Sequence, residues 1–171
     1  MDTLDLALFI LQLAVGLTFA AHGAQKLFGW WDGPGMAGCE GAMGKMGFRP
    51  PRLFAWVSAL VEFVGGLMLA VGLLTPLVAA VIVAQAVVII GRAHWANGFF
   101  NQRSGIEYPL LLGAGAAALG LAGPSALSID GAIALVVDPT VRVALVIAGI
   151  VAGLVVLTIP RLATQSRPTS A

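Results

Sequence analysis

The sequence predicts an all-α integral membrane helical bundle, and three observations carry that prediction. Hydrophobic residues fill 59% of the 171 positions, charged residues only 10%, and the mean hydropathy is +0.97, whereas roughly a quarter of the residues in a soluble domain are charged. The apolar residues fall into five runs, 4–24, 53–74, 76–95, 108–123 and 139–159, near the ~20 residues that a spanning helix needs. So few charges could not coat the outside of that many apolar helices in water.

Each run carries its own signals. The first opens with Asp2 and Asp5 and lacks a basic flank and a small-x-small site, so it is expected to stay as a span rather than leave as a signal peptide. Thr75-Pro76 separates the second run from the third, and it reads as an N-cap followed by proline at the first helical position, which predicts a hairpin with almost no loop. The fourth run is the shortest. Its Tyr108-Pro109 start places Glu107 at a helix N-terminus, where the helix dipole favours a carboxylate. Asp138-Pro139 opens the fifth run and Pro160 closes it.

The connections are mostly short. The exception is 25–52, in which Met36, Met43, Met46 and Phe48 could lie in the interface as a short amphipathic helix, weakened by the glycines of 33–44. Residues 129–137 are too few to span and are placed against the outer surface. Residues 164–171 read as a disordered polar tail.

Lysine and arginine set the expected topology. Lys26, Lys45, Arg49 and Arg52 lie in the first long loop, Arg92 and Arg103 near the connection after the third run, and Arg161 and Arg167 in the tail, while Arg142 alone sits on the other side. The positive-inside rule then puts the N-terminus outside and the C-terminus in the cytoplasm of a bacterial plasma membrane, which needs five crossings. Trp30, Trp31, Trp56 and Trp95 fall at the same inner boundary, as an aromatic belt would.

Several chemistries find little support. Cys39 is the one cysteine, so an internal dithiol cycle is excluded, and an inert interfacial thiol is the simpler reading. Two histidines far apart in sequence form no metal-ligand motif. A net charge of +1 without basic runs gives nucleic acid no footprint. His22 and His94 on different helices could in principle clamp a haem, but hydrogen-bonded side chains are the commoner arrangement.

What stands out is a set of polar groups in apolar surroundings: His22, Lys26, Glu62, Arg92, His94 and Glu107. Such groups are costly in lipid and mark either a site or a paired structural network. His22 and Lys26 are four apart and share a face if the first helix continues to Phe28. Glu62 lies ~14 Å into the second helix, near the midplane, beyond the reach of head groups. It must be protonated or paired, with Lys26, Arg92 or a histidine. Lys26 and Arg92 could equally snorkel; Gln12 and Gln85 read first as interhelical bonds, and Gly65, Gly66, Gly113 and Gly115 as packing surfaces.

The segment 22–29 (His-Gly-Ala-Gln-Lys-Leu-Phe-Gly), Gly33-Pro34-Gly35, Gly65-Gly66 between Glu62 and Thr75-Pro76, the segment 94–101 (His-Trp-Ala-Asn-Gly-Phe-Phe-Asn), Glu107-Tyr108-Pro109 and the ending Gly123-Pro124 to Asp130 together resemble the DoxX family of bacterial membrane proteins. The resemblance runs over residues 6–133. It implies a four-helix DoxX-like domain over 1–133, an additional transmembrane helix within 134–160 and a cytoplasmic tail over 161–171. It also implies association with redox complexes, since relatives include a quinone-reducing subunit, and it adds Asn97 and Tyr108 to the polar set.

The expected function is a membrane subunit that binds a quinone or a similar small apolar redox molecule among His22, Lys26, Glu62, Arg92, His94, Asn97, Glu107 and Tyr108, without a covalently bound cofactor or a metal. The alternative is a non-catalytic accessory subunit of a larger respiratory or oxidative-stress complex, and a small transporter or proton pathway is a third reading. The bilayer is the first expected partner, followed by another membrane protein or a second copy of the chain.

Overall fold

A computed structural model describes residues 2–158, and regular structure among them is helical throughout. Four helices are long and apolar enough to cross a membrane: α1 (Thr3–Phe28), α3 (Pro51–Val71), α4 (Thr75–Asn97) and α7 (Pro139–Leu157). The fifth apolar helix, α5 (Glu107–Ala122), has 16 residues. Two shorter α-helices among the described residues are α2 (Gly35–Lys45) and α6 (Ile129–Ala132). The protein is a multi-pass membrane bundle. Pro160 and the tail beyond it lie outside the described residues.

The helix ends follow local chemistry at α1 and α7. Asp2 and Asp5 form a reciprocal capping box, each carboxylate accepting the other's backbone N–H. Gly29, at φ 70°, closes α1 in the left-handed conformation that glycine adopts without a Cβ penalty. Asp138 caps α7 by accepting from the Thr140 N–H at 2.8 Å, with Pro139 next in line. That hydrogen bond holds the Asp138 carboxyl below its usual range.

The α3–α4 hairpin is as tight as expected, but its cap is not Thr75. The N-cap position is Leu74, in the left-handed region at φ 51°, and the Thr75 hydroxyl is buried without a partner. Asp130, fully buried in α6, supplies the capping carboxylate instead, accepting from Leu74 N at 2.7 Å and Thr75 N at 2.6 Å. Asp130 is therefore inserted into the bundle end, while its neighbours Ile129, Ile133 and Val136 stay exposed on the surface.

Arg142 donates to the Ala122 carbonyl at the end of α5, so the one basic residue on that side is committed to a helix C-terminus, where the dipole favours a cation. Asp5 ties the same end together by accepting from Ala126 N at 2.9 Å.

Small residues let the helices approach. On α1, Gly16, Ala20 and Gly23 face the backbone of α3 at Phe63, Gly66 and Ala70; a Cβ at Gly66 would stand 2.7 Å from the Gly16 carbonyl oxygen. Such contact is how transmembrane helices associate when lipid is as apolar as the side chains. Gln12 crosses the same seam to the Ala70 carbonyl at 3.1 Å. Gly113, against Ala86, and Gly115, against Val15, are packing positions too. The main core joins Val15 and Phe19 to Leu69, Val78, Ile82, Val83, Ala116 and Leu119.

The glycine-rich stretch forms the short amphipathic piece that its methionines suggested. It is a helix, α2, and it folds back onto α3 through a second core of Cys39, Met43, Phe48 and Ala55. Burial of one face there outweighs the weak propensity of its glycines.

Candidate functional site

The close α1–α3 crossing decides where the charges meet. One turn past Gly23 on α1 comes Lys26, and α3 runs antiparallel, bringing Glu62 and Ser58 opposite it. Lys26 Nζ is 2.5 Å from Glu62 Oε1 and donates to Ser58 Oγ at 2.9 Å. Gln85 on α4 donates to the same two groups, at 2.7 Å to Ser58 Oγ and 3.2 Å to Glu62 Oε1. Glu62 is 2% exposed, and its second oxygen, Oε2, has no partner. A carboxylate removed from water and left half-satisfied is costly, so this atom calls for an explanation.

Backbone geometry adds a feature the apolar pattern conceals. Residues Val61–Gly65 and Ile90–His94 are π-helical turns inside α3 and α4. Glu62 sits in the first, Arg92 and His94 in the second. An extra residue per turn rotates the following side chains, and such turns are frequent at functional sites.

A cavity of about 800 Å³ opens beside the ion pair. His22, Lys26, Glu62, Arg92, His94 and Tyr108 all line it, with Ser58 and Gln85, and the rest of its wall is mostly apolar, including Phe19, Met43, Phe48 and Phe54. His22 Nε2 and the Tyr108 hydroxyl are 3.2 Å apart. His94 Nδ1 lies 2.6 Å from the Ser104 carbonyl, which can only accept, so Nδ1 carries the proton. Arg92 donates to the Leu157 carbonyl at 3.1 Å and lies over the Phe48 ring, 5.1 Å from its centroid; it thereby caps the C-terminus of α7 while lining the cavity.

Two candidates stand apart. Asn97 donates to the Ala93 and Ser104 carbonyls, and Glu107 accepts from Asn101 N at 2.9 Å. Both shape the loop between α4 and α5 and lie outside the cavity lining. Cys39 lines the cavity as a buried free thiol, and burial pushes its pKa up, which suits an inert thiol.

Sequence reading missed Ser58 and Asp130. Ser58 stands four residues before Glu62 on the same helical face, a spacing that could have flagged it. For Asp130 the hint is Ser128 two residues earlier, whose hydroxyl accepts from Gly131 N and starts α6.

The family model for DoxX matches residues 7–95. The chain belongs to the DoxX family. The match spans His22, Lys26, Glu62, Arg92 and His94, so the ion pair and both π-helical turns fall within the part shared with DoxX proteins. It ends before Asn97, Glu107, Tyr108 and the Gly123-Pro124 stretch that the resemblance included. No curated protein and no solved structure matches the chain.

Proposed function

We propose that this DoxX protein binds a small, largely apolar molecule with a compact hydrogen-bonding head, of the quinone type, in the cavity between α1, α3, α4 and α5. The volume of about 800 Å³ lies within the range of small-molecule sites, which are mainly apolar with a few convergent polar groups. The observation that carries the reading is Glu62, a buried carboxylate on the cavity wall with one oxygen unpartnered. Lys26, His22 and Tyr108 offer donors to a ring oxygen, and His22 and Tyr108 offer a route for protons. Electrons would come from a second molecule.

A photoreactive short-chain quinone tests this on protein in nanodiscs. Saturable labelling, competed by unlabelled quinone, is expected on peptides bearing Met43 and Gln85. Labelling confined to lipid-facing positions such as Leu111, 70% exposed, would remove the site.

One observation favours the accessory-subunit reading: Lys26 is already engaged by both Ser58 and Glu62, so the network could serve only to fix helix registry. The orientation we propose has the cavity end, with Trp30, Trp31 and Trp95, facing the cytoplasm. A C-terminal tag is then expected to stay protected from impermeant reagents in intact cells, and labelling from outside would reverse the topology.

A further inference from the structure

We infer that the head group bound beside Glu62 is a hydroxyl, as in a hydroquinone or phenol, in preference to a bare carbonyl; this rests on the proposed binding in the same cavity. The argument is a count of donors and acceptors. A lysine ammonium has three N–H donors, and Lys26 directs two of them to Glu62 Oε1 and Ser58 Oγ, at 2.5 and 2.9 Å. Glu62 Oε1 also accepts from Gln85. What remains on the pair itself is one acceptor, Glu62 Oε2, and one donor, the third N–H of Lys26, beside the proton of the Ser58 hydroxyl, whose oxygen already accepts from Lys26 and Gln85.

A hydroxyl matches both at once: its proton goes to Oε2 and its oxygen receives the Lys26 N–H. A carbonyl answers only a donor, Lys26 or the Ser58 hydroxyl, and leaves the carboxylate oxygen orphaned. An anionic head would meet Glu62, and a cationic one would meet Lys26 and Arg92, which line the same wall. Oε2 is itself enclosed, so a hydroxyl reaches it as the Glu62 carboxylate turns about its broad terminal torsion, with the Lys26 ammonium following to keep the pair. With Lys26 as its ion-pair partner on Oε1, Glu62 offers Oε2 as an acceptor.

The test compares three ligands of one ring system under anaerobic conditions, with the protein in nanodiscs: a short-chain hydroquinone, its quinone and its dimethyl ether. The hydroquinone is expected to bind about tenfold or more tightly than the other two, the scale of a hydrogen bond to a charged group. In Glu62→Gln the amide oxygen stays with Lys26 and the NH₂ replaces Oε2, so the order is expected to reverse in favour of the quinone. If that variant does not fold, the ranking on the native protein decides alone. Equal affinities, or a tighter quinone on the native protein, would mean that Glu62 does not present an acceptor; that overturns this inference and leaves the quinone-type site standing. Absence of saturable binding by all three ligands overturns both.

Discussion

Lys26→Met is expected to destabilise the protein by about 3–5 kcal/mol, because it leaves Glu62 as an uncompensated charge in the middle of the bundle. Glu62 is 2% exposed, so its carboxylate is withdrawn from bulk water. The double replacement Lys26→Met with Glu62→Met is expected to recover most of that loss, since an apolar pair of similar volume removes the desolvation penalty along with the attraction. Reversible unfolding in mixed micelles with increasing SDS measures both variants. A single variant within 1 kcal/mol of the native protein would show that the pair is not desolvated, and a double variant as unstable as the single one would show that the polar network itself sets the packing.

Asp130→Ala is expected to cost about 3–6 kcal/mol at the opposite end of the bundle. The carboxylate is fully buried and accepts two backbone N–H groups at the start of α4. Hydrogen bonds to a charged group are worth about 1.5–3 kcal/mol each, and orphaned N–H groups add their desolvation. The cap also holds Leu74 in the left-handed conformation, which is unfavourable for a branched side chain. Asp130→Asn keeps one acceptor and is expected to lose roughly half as much. The same SDS titration reads the effect, with ligand affinity in the distant cavity unchanged. A loss below 1 kcal/mol in the alanine variant would mean that water caps α4 as well as Asp130 does.

These two residues mark the reach of sequence reading. Glu62 was legible because a lone carboxylate in an apolar run is conspicuous, and its depth followed from rise per residue. Its partner was not, since Lys26, Arg92 and the histidines were all compatible with the same one-dimensional pattern. The small-residue crossing of Gly16, Ala20 and Gly23 on Gly66 and Ala70 chose Lys26. Thr75-Pro76 had the grammar of a self-contained cap, yet a carboxylate from 55 residues away took the role. Local propensity yields there because the two oxygens of one carboxylate accept from both the Leu74 and Thr75 N–H groups at once, which a single hydroxyl does not match.

Composition alone determined that the chain lives in a membrane, that its apolar segments are helices and roughly where they begin, because the bilayer demands ~20 apolar residues and internally satisfied backbone. Sequence also named the polar residues that had to be explained. Tertiary structure decided which of them share a cavity, bringing His22, Lys26, Glu62, Arg92, His94 and Tyr108 into its lining and leaving Asn97 and Glu107 outside it. That outcome depends on helix rotation, on two π-helical turns and on backbone contacts a few ångströms wide, none of which hydrophobic periodicity encodes when every face of a helix is apolar.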